Sequence, residues 1–212
     1  MFVEKVEVKV SLGFSENCYL VSEKRGDSSV LVVDPGAQPQ MIRGALNGRS
    51  VDSVVLTHRH FDHVGAVSAI INDTGTEVIA HTIEAEALEG LIGVGPQGRH
   101  DTPDPFNVDR TVDEGDMIKV GDSVLRVLHT PGHTAGSICL YDEDDHLLLA
   151  GDTLFYEDVG RTDFPSGSKA QQDESLKRLC HLPDDTIIYP GHGPDTSIGH
   201  EKRCGPMARF IR

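Results

Sequence analysis

Short apolar runs separated by turn residues recur along the whole chain of 212 residues. In Met1–Val10, valine alternates with charged residues, and this period of two is typical of a half-buried strand. Nine further runs rich in branched and apolar residues predict more strands. These are Cys18–Val21, Val30–Val33, Val54–Thr57, Glu77–Ala80, Met117–Val120, Val124–Leu128, Ile138–Tyr141, Leu147–Ala150 and Thr186–Tyr189.

Segments with helical spacing of apolar residues lie between several of these strands. The predicted helices are Pro39–Leu46, His63–Asn72, Ile83–Glu89 and Lys169–Leu179. Turn signals such as Gly115-Asp116 and Gly121-Asp122 also predict local strand pairing, so we expect helices that cover mixed sheets. Gly90–Arg110 lacks periodicity and is predicted to be a long loop. The length fits one domain over residues 1–212.

Charge and cysteine usage narrow the functional classes. The formal net charge is −15, from 34 acidic and 19 basic residues, which argues against electrostatic binding of nucleic acid or of an anionic membrane surface. No apolar run reaches the roughly 20 residues that a membrane-spanning helix needs. The four cysteines are scattered and form no Cys-x-x-Cys pair, so we expect reduced thiols and a cytoplasmic protein.

The densest group of chemically active side chains is Thr57-His58-Arg59-His60-Phe61-Asp62-His63, directly after an apolar strand. Neutral imidazole is the commonest metal ligand in proteins, and a buried carboxylate needs a cation or strong hydrogen bonds to offset its desolvation. Residues two apart in an extended segment share a face, so His58 and His60 are predicted to point the same way. The segment is interpreted as a metal site.

Three other predicted strands end in a residue of the same ligand type. His133 follows a Pro-Gly turn, Asp152 follows the apolar run that ends at Gly151, and His192 lies between two glycines. A carboxylate at the end of a buried strand is costly unless it meets a cation, and its two oxygens can bridge two metals. Loops at one edge of a layered fold can converge on one pocket, so we expect these residues to act together.

The remaining histidines lack such a context. We interpret His129, inside a strand, as a hydrogen-bonded supporting or core residue rather than a ligand. The others are expected to be surface or internally satisfied polar residues. They are His81, His100, His146, His181 and His200.

Taken together, these motifs resemble the metallo-β-lactamase superfamily over nearly the whole chain, and within it the short glyoxalase II-like hydrolases. The resemblance also includes Asp34-Pro35-Gly36. It implies an α/β fold of the αβ/βα four-layer sandwich type with a two-metal site. By position, it assigns His58, His60 and His133 to one metal, Asp62, His63 and His192 to the other, and Asp152 to both. The Asp34 turn would support the site, although locally it also fits a plain turn after a strand.

Two divalent ions, zinc foremost with iron or manganese as alternatives, would acidify a shared water and hold the resulting hydroxide for attack. Hydrolysis of a small-molecule thioester follows, because a thiol with a pKa near ~8.5 leaves without much help from an acid. We expect His58, Asp62 and Asp152 to be essential for catalysis. Asp62 is interpreted first as a ligand and second as a group that orients the hydroxide.

The Gly160-Arg161 pair stands where glyoxalase II-like enzymes have a basic residue that holds glutathione, so Arg161 is a candidate clamp for a substrate carboxylate. Asp163 replaces the aromatic residue of those enzymes. The segment Gly160–Phe164 also resembles persulfide dioxygenases, which use a single iron, and this remains the alternative function. A non-catalytic metal-binding protein is a third interpretation, which seven ligand-type residues disfavour because structural sites usually have four.

Overall fold

A computed structural model describes residues 1–10, 13–91 and 105–211 of the chain. These residues form two compact units. The first comprises Met1–Val112 with Lys119–Val124, and the second comprises Asp113–Ile118 with Leu125–Arg212. The expectation of one domain over the whole chain stays a prediction.

In the described part of the first unit, six strands form a mixed sheet in the order β1 to β6. The first three strands pair antiparallel and the next three pairings are parallel. The strands are β1 (Phe2–Lys9), β2 (Ser15–Ser22), β3 (Ser29–Val33), β4 (Ser50–Leu56), β5 (Glu77–His81) and β6 (Arg110–Val112). The helices are α1 (Pro39–Leu46), α2 (Phe61–Val64), α3 (Val67–Thr74) and α4 (Thr82–Leu91).

The second sheet has the order β12-β11-β10-β9-β8-β7 within the described residues. The pairing of β10 with β11 is parallel, whereas β8 with β9, β9 with β10, and β11 with β12 are antiparallel. The strands are β7 (Met117–Val120), β8 (Ser123–His129), β9 (Ile138–Asp142), β10 (Leu147–Gly151), β11 (Ile187–Pro190) and β12 (Thr196–Ser197). The helices are α5 (Lys169–Leu179) and α6 (Ile198–Arg203), followed by a 3-10 helix, Pro206–Phe210.

Burial follows the sequence pattern that predicted the strands. In β1, Val6 and Val8 are buried while Lys5, Glu7 and Lys9 are exposed, as expected for a strand with one face on the core. Every residue of β9 and β10 is buried, which matches their continuous apolar runs. Each unit has its own apolar core, and the strands that precede the candidate ligands are parts of these cores.

The predicted helix His63–Asn72 is wrong as a single element, because the chain forms α2 and α3 with a break at Gly65 and Ala66. The physical cause is the Pro35-Gly36 turn. The Ala66 amide donates to the Pro35 carbonyl at 2.9 Å, and a Cβ on Gly65 would lie 2.4 Å from the Gly36 carbonyl oxygen. The helix is therefore interrupted by a segment about 30 residues away in sequence, which no local pattern encodes.

Other differences concern ends and short elements. Strand β2 begins at Ser15, earlier than the predicted start at Cys18. The prediction began too late because the first positions of the strand are polar, although Glu16 and Asn17 are buried. The elements β6, β12 and α6 were not predicted, since two to six residues carry little periodicity. Helix α4 extends to Leu91 and β6 begins at Arg110, so the predicted loop Gly90–Arg110 is shorter at both ends. Its residues 92–104 lie outside the described residues.

Candidate metal centre

The first group of candidate ligands follows β4 in the first unit. His58 and His63 are fully buried, Asp62 is 8% exposed and His60 is half-buried. The ring centroids of His58 and His63 are 4.1 Å apart, and those of His58 and His60 are 4.8 Å apart. The Nε2 atom of His63 lies 3.8 Å from Oδ2 of Asp62. The segment thus brings three imidazoles and one carboxylate close together.

Asp34 lies directly after β3, in the left-handed backbone region with φ 51°, which aspartate tolerates better than most residues. Its buried carboxylate accepts the Thr57 amide at 2.7 Å, the Thr57 hydroxyl at 2.5 Å and Nδ1 of His63 at 2.9 Å. These contacts tie the turn after β3 to the first and last residues of the ligand segment. The predicted supporting role of Asp34 is consistent with them.

The same hydrogen bonds determine which imidazole nitrogen carries the proton. A carboxylate accepts, so His63 donates through Nδ1 to Asp34. The single hydroxyl proton of Thr57 goes to Asp34, so Thr57 Oγ1 accepts from Nδ1 of His58 at 3.1 Å. In both histidines Nε2 therefore carries the lone pair that a metal requires.

Asp34, His58 and His63 also form a set of ligand-type atoms that all lie within 4.8 Å of one another. The hydrogen bonds above already engage both oxygens of Asp34 and the Nδ1 atoms of both histidines. We therefore interpret Asp34 as the residue that orients the imidazoles rather than as a ligand.

Gly36 permits the close approach of this turn to the ligand segment. A Cβ at Gly36 would lie 1.6 Å from the Asp62 carbonyl oxygen and 2.7 Å from Oε2 of Glu16. Only glycine leaves room for these atoms. The Asp-Pro-Gly sequence is thus explained by packing beneath Asp62 as well as by the turn.

The second group of candidate ligands belongs to the second unit. Asp152 follows β10 and is 7% exposed, and His133 is 3% exposed. Nε2 of His133 lies 3.4 Å from Oδ2 of Asp152, and Nε2 of His192 lies 3.5 Å from the same oxygen. One carboxylate oxygen thus faces two imidazoles, as expected of a residue that can serve two metals.

His133 is held in a defined tautomer. Its Nδ1 donates to the backbone carbonyl of Arg161 at 2.7 Å, and a carbonyl can only accept. Nε2, which faces Asp152, therefore carries the lone pair. Gly160, just before Arg161, lies so close that a Cβ there would meet the Asp152 carbonyl oxygen at 1.9 Å.

Helix α5 supports the loops that carry His133 and Asp152. The buried Gln172 amide donates to the Thr153 carbonyl at 2.5 Å, and Ser175 donates to the Pro131 carbonyl at 2.8 Å. A Cβ on Gly132, whose φ is 152°, would lie 2.5 Å from Cα of Gln172. These neutral contacts fix the residues next to both ligands.

The donor set fits a divalent metal ion. Imidazole nitrogen and carboxylate oxygen are ligands for zinc, iron and manganese. Ligand atoms around a tetrahedral zinc ion at about 2.1 Å lie roughly 3.4 Å apart, close to the spacing of Asp152 from its two histidines. In both groups the protonation of Nδ1 leaves Nε2 able to bind a metal.

Comparison with known proteins then assigns the family. The model of the metallo-beta-lactamase superfamily matches residues 12–192. The chain belongs to this superfamily. Hydroxyacylglutathione hydrolase GloC of Haemophilus influenzae is 32% identical to it over 207 residues, which are 95% of this chain and 97% of that protein.

Two solved structures also resemble the chain. The crystal structure of BLEG-1 B3 metallo-beta-lactamase superposes with a TM-score of 0.87 at 28% identity and covers 100% of both chains. The structure of TTHA1623 in a di-iron-bound form superposes with a TM-score of 0.79 at 34% identity and covers 95% of this chain and 98% of that one. The predicted family and α/β fold class are thus confirmed, and the hydroxyacylglutathione hydrolases among its relatives support the glyoxalase II-like branch.

Arg161, the predicted substrate clamp of this superfamily member, has an exposed guanidinium group. The group forms a paired contact with Asp163, both bonds 2.7 Å long, and lies 4.1 Å from the ring centroid of Phe164. The guanidinium lowers the pKa of Asp163 to about 2. The backbone of Arg161 has the additional role, not predicted, of holding His133.

Two buried polar residues near the ligands were missed by the sequence analysis, namely Gln172 and Glu84. A signal existed for both. Gln172 precedes the buried Leu176 and Leu179 by four and seven residues, and Glu84 precedes the buried Leu88 by four, so each polar residue lies on the apolar face of its helix. A polar residue at such a position needs a specific partner, because burying an unsatisfied polar group is costly.

The other histidines behave as predicted where the structure describes them. Nε2 of His129 lies 2.9 Å from the Ala135 carbonyl. His81 is buried and accepts the Ile83 amide at the start of α4. His146, His181 and His200 are hydrogen bonded to Asp185, Arg178 and Glu157, respectively. His100 lies outside the described residues.

The helices of the described residues include none with the length and apolar character needed to cross a membrane.

Proposed function

We propose that this member of the metallo-β-lactamase superfamily is a glyoxalase II-like thioesterase that hydrolyses S-acyl thiols of the hydroxyacylglutathione type. The observation that carries the proposal is the paired approach of His133 and His192 to one oxygen of Asp152. The relative from Haemophilus influenzae, which matches over nearly its full length, supports the choice of substrate class.

The proposed metal ligands are those that the sequence resemblance assigns. They are His58, His60 and His133 for one ion, Asp62, His63 and His192 for the other, and Asp152 for both. Two divalent ions held in this way would lower the pKa of a water molecule and polarise the thioester carbonyl. Zinc is the proposed metal, with iron and manganese as alternatives, because all three accept imidazole and carboxylate.

The residues of the chain contribute orientation more than proton transfer. Asp34 and the Arg161 carbonyl hold His63 and His133 with Nε2 available, so little reorganisation is needed when a metal binds. The acidic side chain of Asp62 would orient the attacking water as well as bind metal. The departing thiol needs no general acid, since its pKa near ~8.5 lets it leave as a thiolate.

Arg161 is the proposed contact for a carboxylate of the thiol carrier. Its guanidinium is exposed and its fork geometry matches a carboxylate, but Asp163 is already bound to it. A substrate carboxylate would therefore have to compete with Asp163. Exchange of Arg161 for alanine is expected to raise KM for S-lactoylglutathione while leaving KM for a thioester without carboxylates nearly unchanged.

The alternative function, a persulfide dioxygenase with one iron, depends on the sequence of Gly160–Phe164. The presence of iron alone would not identify a one-iron dioxygenase, because the similar TTHA1623 was crystallised in a di-iron-bound form. The number of metal ions per chain and the consumption of oxygen distinguish the two reactions. A protein that binds metal without catalysis is the third interpretation.

We further propose a single domain and a location in the cytoplasm. All four cysteines are free thiols, and two of them are buried with a pKa raised by desolvation. Such thiols suit a reducing compartment. A small-molecule thioester is the proposed binding partner, and the net charge of −15 argues against nucleic acid and anionic membranes.

The test combines metal analysis with substrate assays on the purified protein. Two metal ions per chain and hydrolysis of S-lactoylglutathione that a chelator abolishes are expected. His58→Ala and Asp152→Ala should each lower kcat/KM by at least about 1,000-fold in a folded protein. Near-normal turnover in either variant would refute the ligand assignment. One iron per chain with oxygen uptake on glutathione persulfide would favour the dioxygenase, and turnover of a β-lactam without thioester cleavage would refute the substrate class.

A further inference from the structure

We propose that Glu84, on helix α4, is a positioning residue that fixes His58 and His60 through Arg59. The inference depends on the proposed role of these two histidines as metal ligands. No sequence motif pointed to Glu84. Its side chain is fully buried, and the Arg59 side chain with which it pairs is 13% exposed.

The contacts of Glu84 are concentrated on one residue. Its carboxylate accepts from Nη1 of Arg59 at 2.9 and 3.0 Å and from the backbone amide of Arg59 at 3.0 Å. The carboxylate thus holds both the main chain and the side chain of the residue between His58 and His60. Charge-assisted bonds of this kind are stronger than neutral ones, especially in a buried setting.

The backbone around Arg59 depends on such outside contacts. Strand β4 ends at Leu56 and helix α2 begins at Phe61, so the intervening residues lie outside both regular elements. The Thr57 amide is bound by Asp34, and the Arg59 amide is bound by Glu84. His58 therefore lies between two amides that buried carboxylates hold in place.

A purely structural role is the competing explanation, because a buried ion pair also anchors α4. The two roles differ in what they affect. An anchor changes the stability of the metal-free protein, whereas a positioning residue changes the affinity for metal, since misplaced ligands must be reordered on binding. Metal affinity can be measured without any substrate.

The experiment compares Glu84→Gln with Glu86→Gln, an exposed glutamate on the same helix that serves as the matched control. The full-length metal-free proteins are titrated with Zn²⁺ against a chromophoric chelator, and their unfolding by urea is measured without metal. Glu84→Gln is expected to weaken Zn²⁺ binding by about 10- to 100-fold. Glu86→Gln should stay within about twofold of the wild type.

A second variant guards against loss of folding in Glu84→Gln. Arg59→Lys retains the positive charge and the backbone amide, but its ammonium nitrogen ends one bond short of the position of Nη1, the atom that contacts both Glu84 oxygens. It is expected to weaken Zn²⁺ binding by about 2- to 10-fold. Wild-type Zn²⁺ affinity in a folded Glu84→Gln or in Arg59→Lys would overturn the positioning role.

The proposed function can fail separately. If the wild type binds Zn²⁺ tightly but cleaves no thioester, the proposed function is wrong, and weakened Zn²⁺ binding by Glu84→Gln would still support the positioning role. If the wild type binds none of Zn²⁺, Fe²⁺ and Mn²⁺, both proposals are overturned.

Discussion

The two groups of candidate ligands are supported by different chemistry. In the first unit, buried carboxylates hold the ligand segment, with Asp34 bound to Thr57 and His63 and with Glu84 bound to Arg59. In the second unit, the support is neutral and consists of backbone carbonyls, the Gln172 amide and close contacts at glycine. Both arrangements leave Nε2 of a buried histidine ready for a metal.

The difference has a physical consequence. Charge-assisted hydrogen bonds orient a ligand strongly, but their strength depends on the charge of the carboxylate. Neutral hydrogen bonds and packing depend on volume and shape. Changes of charge should therefore act mainly on the first group, whereas changes of volume should affect both groups, since Gly36 packs closely beneath Asp62. The following variants test this contrast.

The largest expected effect is on stability, from Gly132→Ala in the second unit. The new Cβ would lie 2.5 Å from Cα of Gln172, at a backbone φ of 152°, so helix and loop must separate. We expect the free energy of unfolding to fall by about 3 kcal/mol or more. Gly115→Ala is the control, because its φ is +88° but its Cβ meets nothing within 4 Å, and it should cost about 1 kcal/mol. Equal losses in urea unfolding would contradict the packing argument.

The next effect concerns metal affinity and the charge of Asp34. Asn at this position keeps the shape but presents an NH₂ group either to the Thr57 amide or to both the Thr57 hydroxyl and His63, all of which donate to the oxygens of Asp34. Zn²⁺ affinity should fall by about 10- to 100-fold in a chelator competition. The exposed Asp52 of β4 provides the control as Asp52→Asn. An unchanged affinity in Asp34→Asn would remove the distinction between the two groups.

A smaller effect is expected from Gln172→Met, which keeps the volume but removes the amide. The Thr153 carbonyl then loses its donor, and the free energy of unfolding should fall by about 1–2 kcal/mol. Zn²⁺ affinity should change less than in Asp34→Asn, because the substitution alters no charge. Gln171→Met, at the neighbouring exposed position, is the control in the same urea and chelator measurements. A loss of affinity as large as that of Asp34→Asn would show that neutral support is equally important.

The smallest effect is a pH dependence at the surface. Arg161 lowers the pKa of Asp163 to about 2 from the ordinary 3.8. A lowered pKa means that the ion pair stabilises the fold fully above about pH 4 and progressively less as the pH falls toward 2. The stability difference between wild type and Asp163→Asn, measured by urea unfolding, should thus shrink on acidification and in 1 M NaCl. A difference independent of pH would exclude this ion pair as its source.

Much of the fold could be predicted because the order of apolar and polar residues in a strand reflects which of its faces are buried. The alternation in β1 and the continuous apolar runs of β9 and β10 reflect one buried face and two buried faces, respectively. The start of strand β2 was predicted too late, because a glutamate such as the buried Glu16 is usually a surface residue. The break between α2 and α3 is caused by the distant Gly36 turn, and therefore has no signal in its own segment.

The amino-acid sequence by itself determined the family, the fold class and the segments that supply imidazole and carboxylate, because these depend on residue type and short-range spacing. Only the tertiary structure decided which nitrogen of His58, His63 and His133 is available to a metal. The partners that set the tautomers of His63 and His133 are Asp34 and the Arg161 carbonyl, 29 and 28 residues away, respectively. The adjacent Thr57 sets that of His58, but only because its hydroxyl donates to Asp34, 23 residues away. Hydrogen bonds over such separations exist only once the chain has folded, and no local periodicity encodes them.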